Sequence, residues 1–438
     1  MAIAKSKLPD FIARLATGLS ANLLGKIWTT LIQLISIPIL SARWGAEGFG
    51  HWIMLSTVPT YIALSAGGFC VAAAVAMIRE NANGNYHNSL EILQSIWVLI
   101  SVTSLSSALF VSIAVTIIGF NGISHGGSPD LYIAAAILAL YSAAALQTAV
   151  LEATFRSTKR YALGTIALDI IALTEGIAVL IVAICGLKIL AAACTMLALR
   201  IFGTILYYKL ARRGSPWIQL GRSHATKRTM KALFSPAFAS FTYTAAQALS
   251  LQGVVLGLGL FAGPATAAIF ATARTVCRIP LQLSEIINRA VLPEIAMASA
   301  QRNETRAKKL LLVAVVMTSS ITIPSAIVLS IFGSRIAHLA TAKIITFPPS
   351  LFVSLSWAAL FQGLWSTLSQ PLIAQNRQHL VGYPYLGFAV LASAGTFFAS
   401  RTSSPVTTMG IISLLVEAAC LATIIALARV NAAFVNKA

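Results

Sequence analysis

The chain has 438 residues, of which 58% are apolar and only 10% are charged. This composition excludes an ordinary water-soluble globular domain and is typical of a protein that crosses a membrane many times. The net charge of +19 would favour nucleic acid as the partner of a soluble chain, but the placement of the basic residues, described below, excludes that interpretation.

Hydropathy predicts an all-α polytopic membrane protein with about twelve transmembrane helices, because that many stretches are apolar and long enough to cross a bilayer. The predicted spans are residues 17–41, 49–78, 90–119, 131–155, 161–186, 189–210, 233–261, 265–295, 309–333, 346–374, 379–399 and 407–428. No segment outside these spans is long enough to form a domain.

Lysine and arginine are distributed unevenly between the two sides of the predicted membrane. Of the 31 such residues, 21 fall in the termini, in the loops on their side or at the span ends next to those loops, 5 in the opposite loops and 5 deeper inside the spans. Because cytoplasmic loops carry an excess of Lys and Arg, this distribution predicts that both termini are cytoplasmic. The basic residues therefore determine the orientation in the membrane and give some affinity for anionic lipid. They do not indicate nucleic-acid binding.

The longest cytoplasmic connection, residues 211–232, is polar and basic and lies halfway along the chain. It divides the chain into an N-terminal six-helix bundle, 1–210, and a C-terminal six-helix bundle, 233–438. An even number of spans in each half predicts two repeats that run parallel to each other. Aligning Gly45 with Gly263 matches the first span to the seventh, although few identical residues remain. We expect the two bundles to enclose a central cavity.

One face of the first span is polar, although the span itself is apolar. Asn22, Lys26, Thr29, Gln33 and Ser36 fall within a narrow arc at 100° per residue. A lysine at this depth costs roughly 2.5–3.5 kcal/mol on insertion scales, so it is expected to face water or a partner. The sequence predicts that this face lines a wet cavity. The alternative is a lysine that reaches to the cytoplasmic surface or fixes a helix contact.

The eighth span carries a basic stripe. Arg274, Arg278, Glu285 and Arg289 fall on one face of an ideal helix, with Gln282 alongside. Arginine side chains match phosphate oxygens in a bidentate geometry, so the stripe predicts a path for an anion. The alternative is internal pairing with Glu285 or another acid.

Four other charged residues inside predicted spans are candidates for a structural or a coupling role. Counted back from the turn between the fifth and sixth spans, Glu175 and Arg200 lie at similar depth, which favours a structural ion pair. Asp169 has no evident partner of matching depth. Glu417 is the one charged residue of the last span, and the sequence leaves open whether it binds a proton or contacts a helix.

Signatures of several other classes of protein are missing. The chain contains no Gly-rich phosphate loop followed by Lys and Ser or Thr, so we expect no ATP hydrolysis. The histidines show no metal-ligand spacing, so we expect no metal and no cofactor. The large external loop expected of membrane enzymes that polymerise polysaccharide is also absent. We therefore expect a protein that is not an enzyme.

The first seventy residues resemble a known family of transporters. The residues that carry the resemblance are Ala21-Asn22, Gly25-Lys26, Gln33, Pro38, Gly45, Glu47-Gly48-Phe49-Gly50, Trp52, Leu64-Ser65 and Gly67-Gly68-Phe69. This run resembles the start of Wzx-type O-antigen and exopolysaccharide flippases, which belong to the multidrug/oligosaccharidyl-lipid/polysaccharide superfamily. Residues 271–294 resemble them more weakly, and the remainder only in length and hydropathy.

The resemblance implies a substrate and a location. The substrate would be an undecaprenyl-pyrophosphate-linked oligosaccharide, flipped across the bacterial inner membrane by alternating access for O-antigen or exopolysaccharide synthesis. Lys26, Arg274 and Arg278 would hold the pyrophosphate. Asn22 and Gln33 would contact the sugars. Membrane lipids, a polysaccharide polymerase and chain-length proteins are the other partners that the resemblance implies.

The resemblance also implies coupling to a gradient of H⁺ or Na⁺, for which Glu417 and Asp169 are the candidate carboxylates. A second hypothesis is an ion-coupled multidrug or small-solute antiporter of the same superfamily, for which an acidic, aromatic cavity is expected. A third is a scaffold without transport activity in a polysaccharide-synthesis complex, which the short loops disfavour.

The predicted topology is testable with reporter fusions. A fusion after Gly127 and a fusion between Arg222 and Lys231 are expected to report opposite sides of the membrane, because an odd number of predicted spans separates them. Alkaline phosphatase and fluorescent-protein reporters measure this directly, and the same side for both fusions would contradict the twelve-span topology.

Overall fold

The fold is described by a computed structural model that covers residues 7–66, 68–120, 128–158, 160–301, 303–374, 377 and 379–435. Within these ranges the regular structure is helical. The helices are α1 Lys7–Leu55, α2 Thr57–Ala63, α3 Phe69–Ala82, α4 Tyr86–Phe120, α5 Pro129–Ser157, α6 Tyr161–Ile184, α7 Ile189–Gly214, α8 Lys227–Ala248, α9 Val254–Ala262, α10 Pro264–Cys277, α11 Ile279–Ala300, α12 Glu304–Ala340, α13 Pro349–Leu368, α14 Gln370–Ala374, α15 His379–Ala399 and α16 Pro405–Val435. The protein is therefore all-α.

Nine helical stretches in the described part of the chain are long and apolar enough to cross a membrane. They fall on nine of the twelve predicted spans. The other three predicted spans lie on α1, on the run from the end of α1 to α3, and on the run α10–α11. The chain is a multi-pass membrane protein.

Two of the predicted spans, 49–78 and 265–295, are each divided into separate helices. In the first, α1 ends at Leu55 because Pro59 has no N–H to bond the Leu55 carbonyl. In the second, α10 ends at Cys277 and α11 begins at Ile279, because Pro280 likewise cannot continue the hydrogen bonds of α10. The predicted basic stripe is therefore divided between two helices.

A repeat of six helices organises the chain. Gly45 interrupts α1 at φ 70° and ψ 179°, and Gly263, between α9 and α10, has φ 93° and ψ 157°. Both adopt a left-handed, extended conformation that glycine tolerates because it has no Cβ. The same 218 residues separate these glycines, the first residues of α4 and α12, and the first residues of α6 and α15. The sequence alignment of Gly45 with Gly263 thus matches residues of the same backbone conformation.

The chain forms two compact units with boundaries that differ from the predicted domains. The first unit comprises Met1–Arg43 and Leu55–Phe241, and the second comprises Trp44–Met54 and Thr242–Ala438. The N-terminal unit therefore extends into α8, beyond the predicted boundary at 232. The short segment Trp44–Met54 belongs to the C-terminal unit because it packs there, a contact that sequence position alone does not show.

The core of the first unit surrounds α5, the most buried membrane-spanning helix of that unit. Met77 of α3, Ile96 of α4 and Tyr207 of α7 belong to this core and are almost completely buried. The rings of Phe155 and Tyr207 lie 4.7 Å apart between their centroids.

The predicted linker, residues 211–232, is packed against the first unit. Ile218 is 1% exposed and belongs to the core of that unit. The side chain of Gln94 in α4 donates a hydrogen bond to the Gln219 carbonyl, 3.2 Å, and accepts one from the His224 backbone N–H, 2.7 Å. The segment is thus an ordered part of the first unit rather than a free connection.

The second unit is built around α13, which contacts α12, α16 and α10. Trp365 of α13 and Tyr385 of α15 lie in its core, with their ring centroids 5.0 Å apart. The segment Trp44–Met54 packs against the end of α9 and the start of α10: a Cβ on Gly50 would collide with the backbone carbonyl of Pro264. This close approach requires glycine at position 50.

Gly50→Ala is expected to destabilise the protein by roughly 1–3 kcal/mol, because the added methyl overlaps backbone that cannot rotate away. Gly387→Ala in α15 is the matched control, since a Cβ there meets open space. The midpoint of thermal unfolding in detergent measures both. Equal midpoints for the two variants would show that the contact between Gly50 and Pro264 contributes nothing.

Candidate functional site

A partly open cavity in the second unit contains three charged side chains. Its cavity volume is about 40 Å³. Its lining is Ser250, Leu251, Val254, Arg274, Arg278, Leu355, Ala358, Ala359, Gln362, Ala392, Ser413, Val416 and Glu417. The cavity therefore brings Arg274 and Arg278 together with Glu417, which lies about 140 residues later in the sequence.

Arg274 lies in the last turn of α10. Its Nη1 donates to the backbone carbonyl of Ser250, 3.5 Å away, and its guanidinium lies 5.5 Å from the centroid of the Phe270 ring. Ser250 belongs to a π-helical turn, Leu249–Gly253, between α8 and α9. Such wide turns recur at functional sites. Here the turn directs the Ser250 carbonyl toward the guanidinium group of Arg274.

Arg278 is the C-terminal capping residue of α10, at the break before α11. Its Nη1 donates to Oε1 of Gln362 in α13, 2.5 Å away. The end of a helix carries partial negative charge, which favours a cation at this position.

Glu417 of α16 is buried, with 7% of its surface exposed. Its Oε2 accepts a hydrogen bond from Nε1 of Trp365, 2.6 Å away. Arg278 is close enough for a favourable Coulomb interaction with this carboxyl. Among the described residues, however, neither Arg274 nor Arg278 forms an ion pair within 4 Å.

Each charge in the cavity is thus hydrogen-bonded to a neutral partner. Arg274 bonds a backbone carbonyl and Arg278 bonds an amide oxygen. An anionic ligand can bind these guanidinium groups without first breaking an ion pair. Hydrogen bonds between guanidinium groups and phosphate are about twice as strong as those between neutral groups.

The first unit treats its buried charges differently. Nη2 of Arg200 lies 2.5 Å from Oε2 of Glu175, and their side chains are 10% and 4% exposed. The hydroxyl of Tyr141 donates to the same carboxylate oxygen, 2.9 Å, and accepts from Arg200 Nη2, 2.9 Å. The ion pair that depth matching predicts is present, and it is closed by a third residue.

Asp169 and Gln33 are not among the residues that line the cavity of the second unit. Asp169 of α6 is half-buried in the first unit, with its carboxylate packed over Gly25 of α1. Gln33 is exposed on α1. The side chains of Asn22 and Lys26 lie outside the described residues.

The predicted basic stripe continues on α11 with Glu285 and Arg289. Glu285 lies on α11 with a half-buried side chain, beyond the break at Arg278. The Arg289 side chain lies outside the described residues. In the part of the chain that the structure describes, no group of three or more His, Cys, Asp or Glu side chains is placed to hold a metal ion.

Sequence reasoning missed three residues that contact the cavity charges: Ser250, Gln362 and Trp365. Gln362 carried a usable signal, since an amide inside an apolar span is itself rare and marks a functional candidate. Trp365 resembled any core aromatic, and a backbone carbonyl of Ser250 leaves no trace in a sequence.

The family is shown by a match over most of the chain. Residues 15–299 match the model of a family described as polysaccharide biosynthesis protein. The chain belongs to this polysaccharide biosynthesis protein family. The match confirms the resemblance seen in the first seventy residues and extends it through the first repeat to residue 299 of the second. No curated protein matches the sequence.

Solved transporter structures share the fold of this family member. An inward-facing multidrug-resistance MATE transporter of the MOP superfamily has a TM-score of 0.70 and 12% identity, over 93% of this chain and 99% of that chain. The outward-facing conformation of a MATE family transporter has a TM-score of 0.56 and 12% identity, over 94% and 96%. A MOP superfamily transporter from Pyrococcus furiosus has a TM-score of 0.57 and 12% identity, over 93% and 95%.

At this level of identity the likeness shows the fold alone. The fold is the one that these membrane transporters have. The family also ties this chain to polysaccharide biosynthesis.

The ion pair of the first unit generates a stability prediction. Arg200→Met is expected to destabilise the protein by roughly 3–5 kcal/mol, because it leaves Glu175 buried without its cation. The double variant Glu175→Gln/Arg200→Met is expected to recover most of that loss. Thermal unfolding in detergent measures both, and a single variant as stable as the double one would mean that the charge of Glu175 needs no partner.

Proposed function

We propose that the protein flips an undecaprenyl-pyrophosphate-linked oligosaccharide across the membrane by alternating access, for O-antigen or exopolysaccharide synthesis. The observation that carries the proposal is the pair of arginines, Arg274 and Arg278, that line one cavity with only neutral hydrogen-bonding partners. Membership of the polysaccharide biosynthesis protein family supports the oligosaccharide part of the proposal.

The chemistry of the cavity fits a pyrophosphate. Two guanidinium groups supply several N–H donors in a planar geometry that matches phosphate oxygens. Both arginines are half-buried, so their interaction with an anion is screened less by water than at a protein surface. Gln362 and Ser413 line the same cavity and offer hydrogen bonds to sugar hydroxyls.

The polar face of α1 remains part of the proposal on the sequence argument. Lys26 would supply a further cation for the pyrophosphate, and Asn22 and Gln33 would contact sugars. Lys26→Arg is expected to be tolerated better than Lys26→Gln, since an ammonium group acts on phosphate mainly as a point charge.

We propose that transport is coupled to H⁺ or Na⁺ through Glu417. This carboxyl lies in the cavity that holds both arginines, so its charge state changes the net charge seen by an anionic headgroup. Asp169 is the second candidate, and its position over Gly25 of α1 supports a role in the first unit.

The proposed location is the bacterial inner membrane, with both termini cytoplasmic. The excess of basic residues in the loops on the side of the termini supports this orientation. A polysaccharide polymerase and chain-length proteins would act on the flipped product, and the surrounding membrane lipids are the remaining partners.

The alternative is an ion-coupled multidrug antiporter, which the fold likeness to MATE transporters favours. A cationic drug would meet two arginines and one carboxyl in this cavity, which is unfavourable. The Pyrococcus furiosus transporter of the same fold has a binding pocket of reverse polarity, which suggests a different function for that protein. A scaffold without transport activity has no support in the structure.

Replacing either cavity arginine tests the proposal. Arg274→Ala or Arg278→Ala is expected to lower flipping of lipid-pyrophosphate-oligosaccharide by about tenfold or more, since each removes a charged contact to phosphate. Protein abundance is expected to stay near normal, because neither arginine balances a buried ion pair.

Flipping is measured with a fluorescent lipid-linked oligosaccharide in proteoliposomes, and Arg401→Ala, an exposed cation of the second unit, is the control. Normal flipping by both cavity variants would reject the proposal. Loss of abundance together with activity would reassign the arginines to a structural role.

A further inference from the structure

The end of the first unit that carries the predicted linker presents an exposed cationic surface. Its residues, named here the basic platform, are Arg212, Arg213, Arg222, Lys227, Arg228 and Lys231, and each side chain is exposed. Residues 211–232 contain no Asp or Glu. The surface is therefore strongly positive.

The platform is held in place by groups other than its cations. Gln94 of α4 bonds the backbone at Gln219 and at His224. The hydroxyls of Thr226 and Thr229 both donate to Oε1 of Glu91, each at 2.6 Å. These contacts use hydroxyl, amide and backbone groups of the segment. Its Lys and Arg side chains are therefore not needed to hold it in place.

Apolar contacts fix the same segment. Ile218 is buried, and Trp217 and Leu220 pack against the core of the first unit. Trp217 also lies beside Tyr86, the first residue of α4, with the ring centroids 6.3 Å apart. Tryptophan and tyrosine are enriched where membrane helices leave the hydrocarbon, so this pair marks the level of the lipid headgroups.

The cation-rich segment at the start of α12 differs from the basic platform because two of its cations form ion pairs. Around the start of α12, Arg306 pairs with Glu294, 2.9 Å, and Lys308 pairs with Glu304, 3.4 Å. In the described part of the chain, no ion pair involves a basic-platform residue. The platform cations are therefore available to an external anion, whereas those of α12 are partly neutralised.

We infer that the basic platform binds the headgroups of anionic phospholipids. Its ordered cations lie next to an aromatic pair at headgroup level, and each Lys or Arg near an anionic membrane surface adds to the attraction. A fixed arrangement needs less ordering on binding than a flexible basic tail would, so it holds a headgroup more tightly. This function is separate from the proposed transport of an oligosaccharide.

The experiment compares two variants that lose the same charge. The platform variant is Lys227→Gln/Arg228→Gln/Lys231→Gln, and the control is Arg306→Gln/Lys308→Gln/Lys309→Gln. Native mass spectrometry of the full-length protein in detergent, titrated with phosphatidylglycerol and with phosphatidylcholine, measures lipid affinity. The platform variant is expected to bind phosphatidylglycerol about tenfold more weakly or worse, and the control to change by less than about twofold.

A third variant, Gln94→Leu, keeps every charge and removes the hydrogen bonds of Gln94 to the backbone of the segment. It is expected to bind phosphatidylglycerol several-fold more weakly than the native protein. Should the platform variant fail to fold, the native protein still provides a test, because added salt must weaken its binding of phosphatidylglycerol and not of phosphatidylcholine.

Three results would overturn the inference. They are equal losses in the platform and control variants, equal affinity of the native protein for both lipids, and unchanged affinity in Gln94→Leu. Equal losses in the platform and control variants would mean that lipid binding depends only on the overall charge. Unchanged affinity in Gln94→Leu would show that an ordered platform is not required.

Discussion

A charged side chain inside an apolar helix must find a partner within the protein, because the hydrocarbon around it offers none. The first unit meets this requirement with opposite charges: Glu175 and Arg200 form a buried pair that Tyr141 completes. The second unit meets it with neutral groups, such as the amide of Gln362. The first arrangement neutralises its charges, and the second satisfies the hydrogen bonds while leaving the charges effective. Among the described residues, the guanidinium groups of the second unit's cavity therefore have no ion-pair partner.

The internal repeat makes this contrast informative. Two glycines of matching conformation, Gly45 and Gly263, mark corresponding positions in the two repeats, and the central helices α5 and α13 are the most buried spans of their units. The backbone plan is therefore shared, whereas the polar side chains placed on it are not. In the first repeat one buried acid pairs with one buried base, whereas in the second repeat three interior charges line a cavity. The shared fold of the two repeats therefore does not determine where the charged site lies.

The sequence predicted the features that depend on local pattern. Hydropathy located the helices, and counting depth from a turn paired Glu175 with Arg200. The break at Arg278 was obscured because the stripe of charges also fits one continuous helix, and only the effect of Pro280 on the backbone decides between the two. The partners of Arg278 and Glu417 could not be predicted, since they come from α13, whose rotation is set by packing against several helices at once. Packing of residues 211–232 on α4 was missed for the same reason.

The membership of Trp44–Met54 in the second unit has a consequence for biosynthesis. Met54 packs against Gly259, and Gly50 against Pro264, so this early segment has neighbours that are translated about 200 residues later. At ~5–20 residues per second, roughly 10–40 s pass before those neighbours leave the ribosome. During that interval the early helices are inserted but incompletely packed. The chain therefore cannot mature one half at a time: its N-terminal half reaches its final contacts only after the C-terminal half has begun to enter the bilayer.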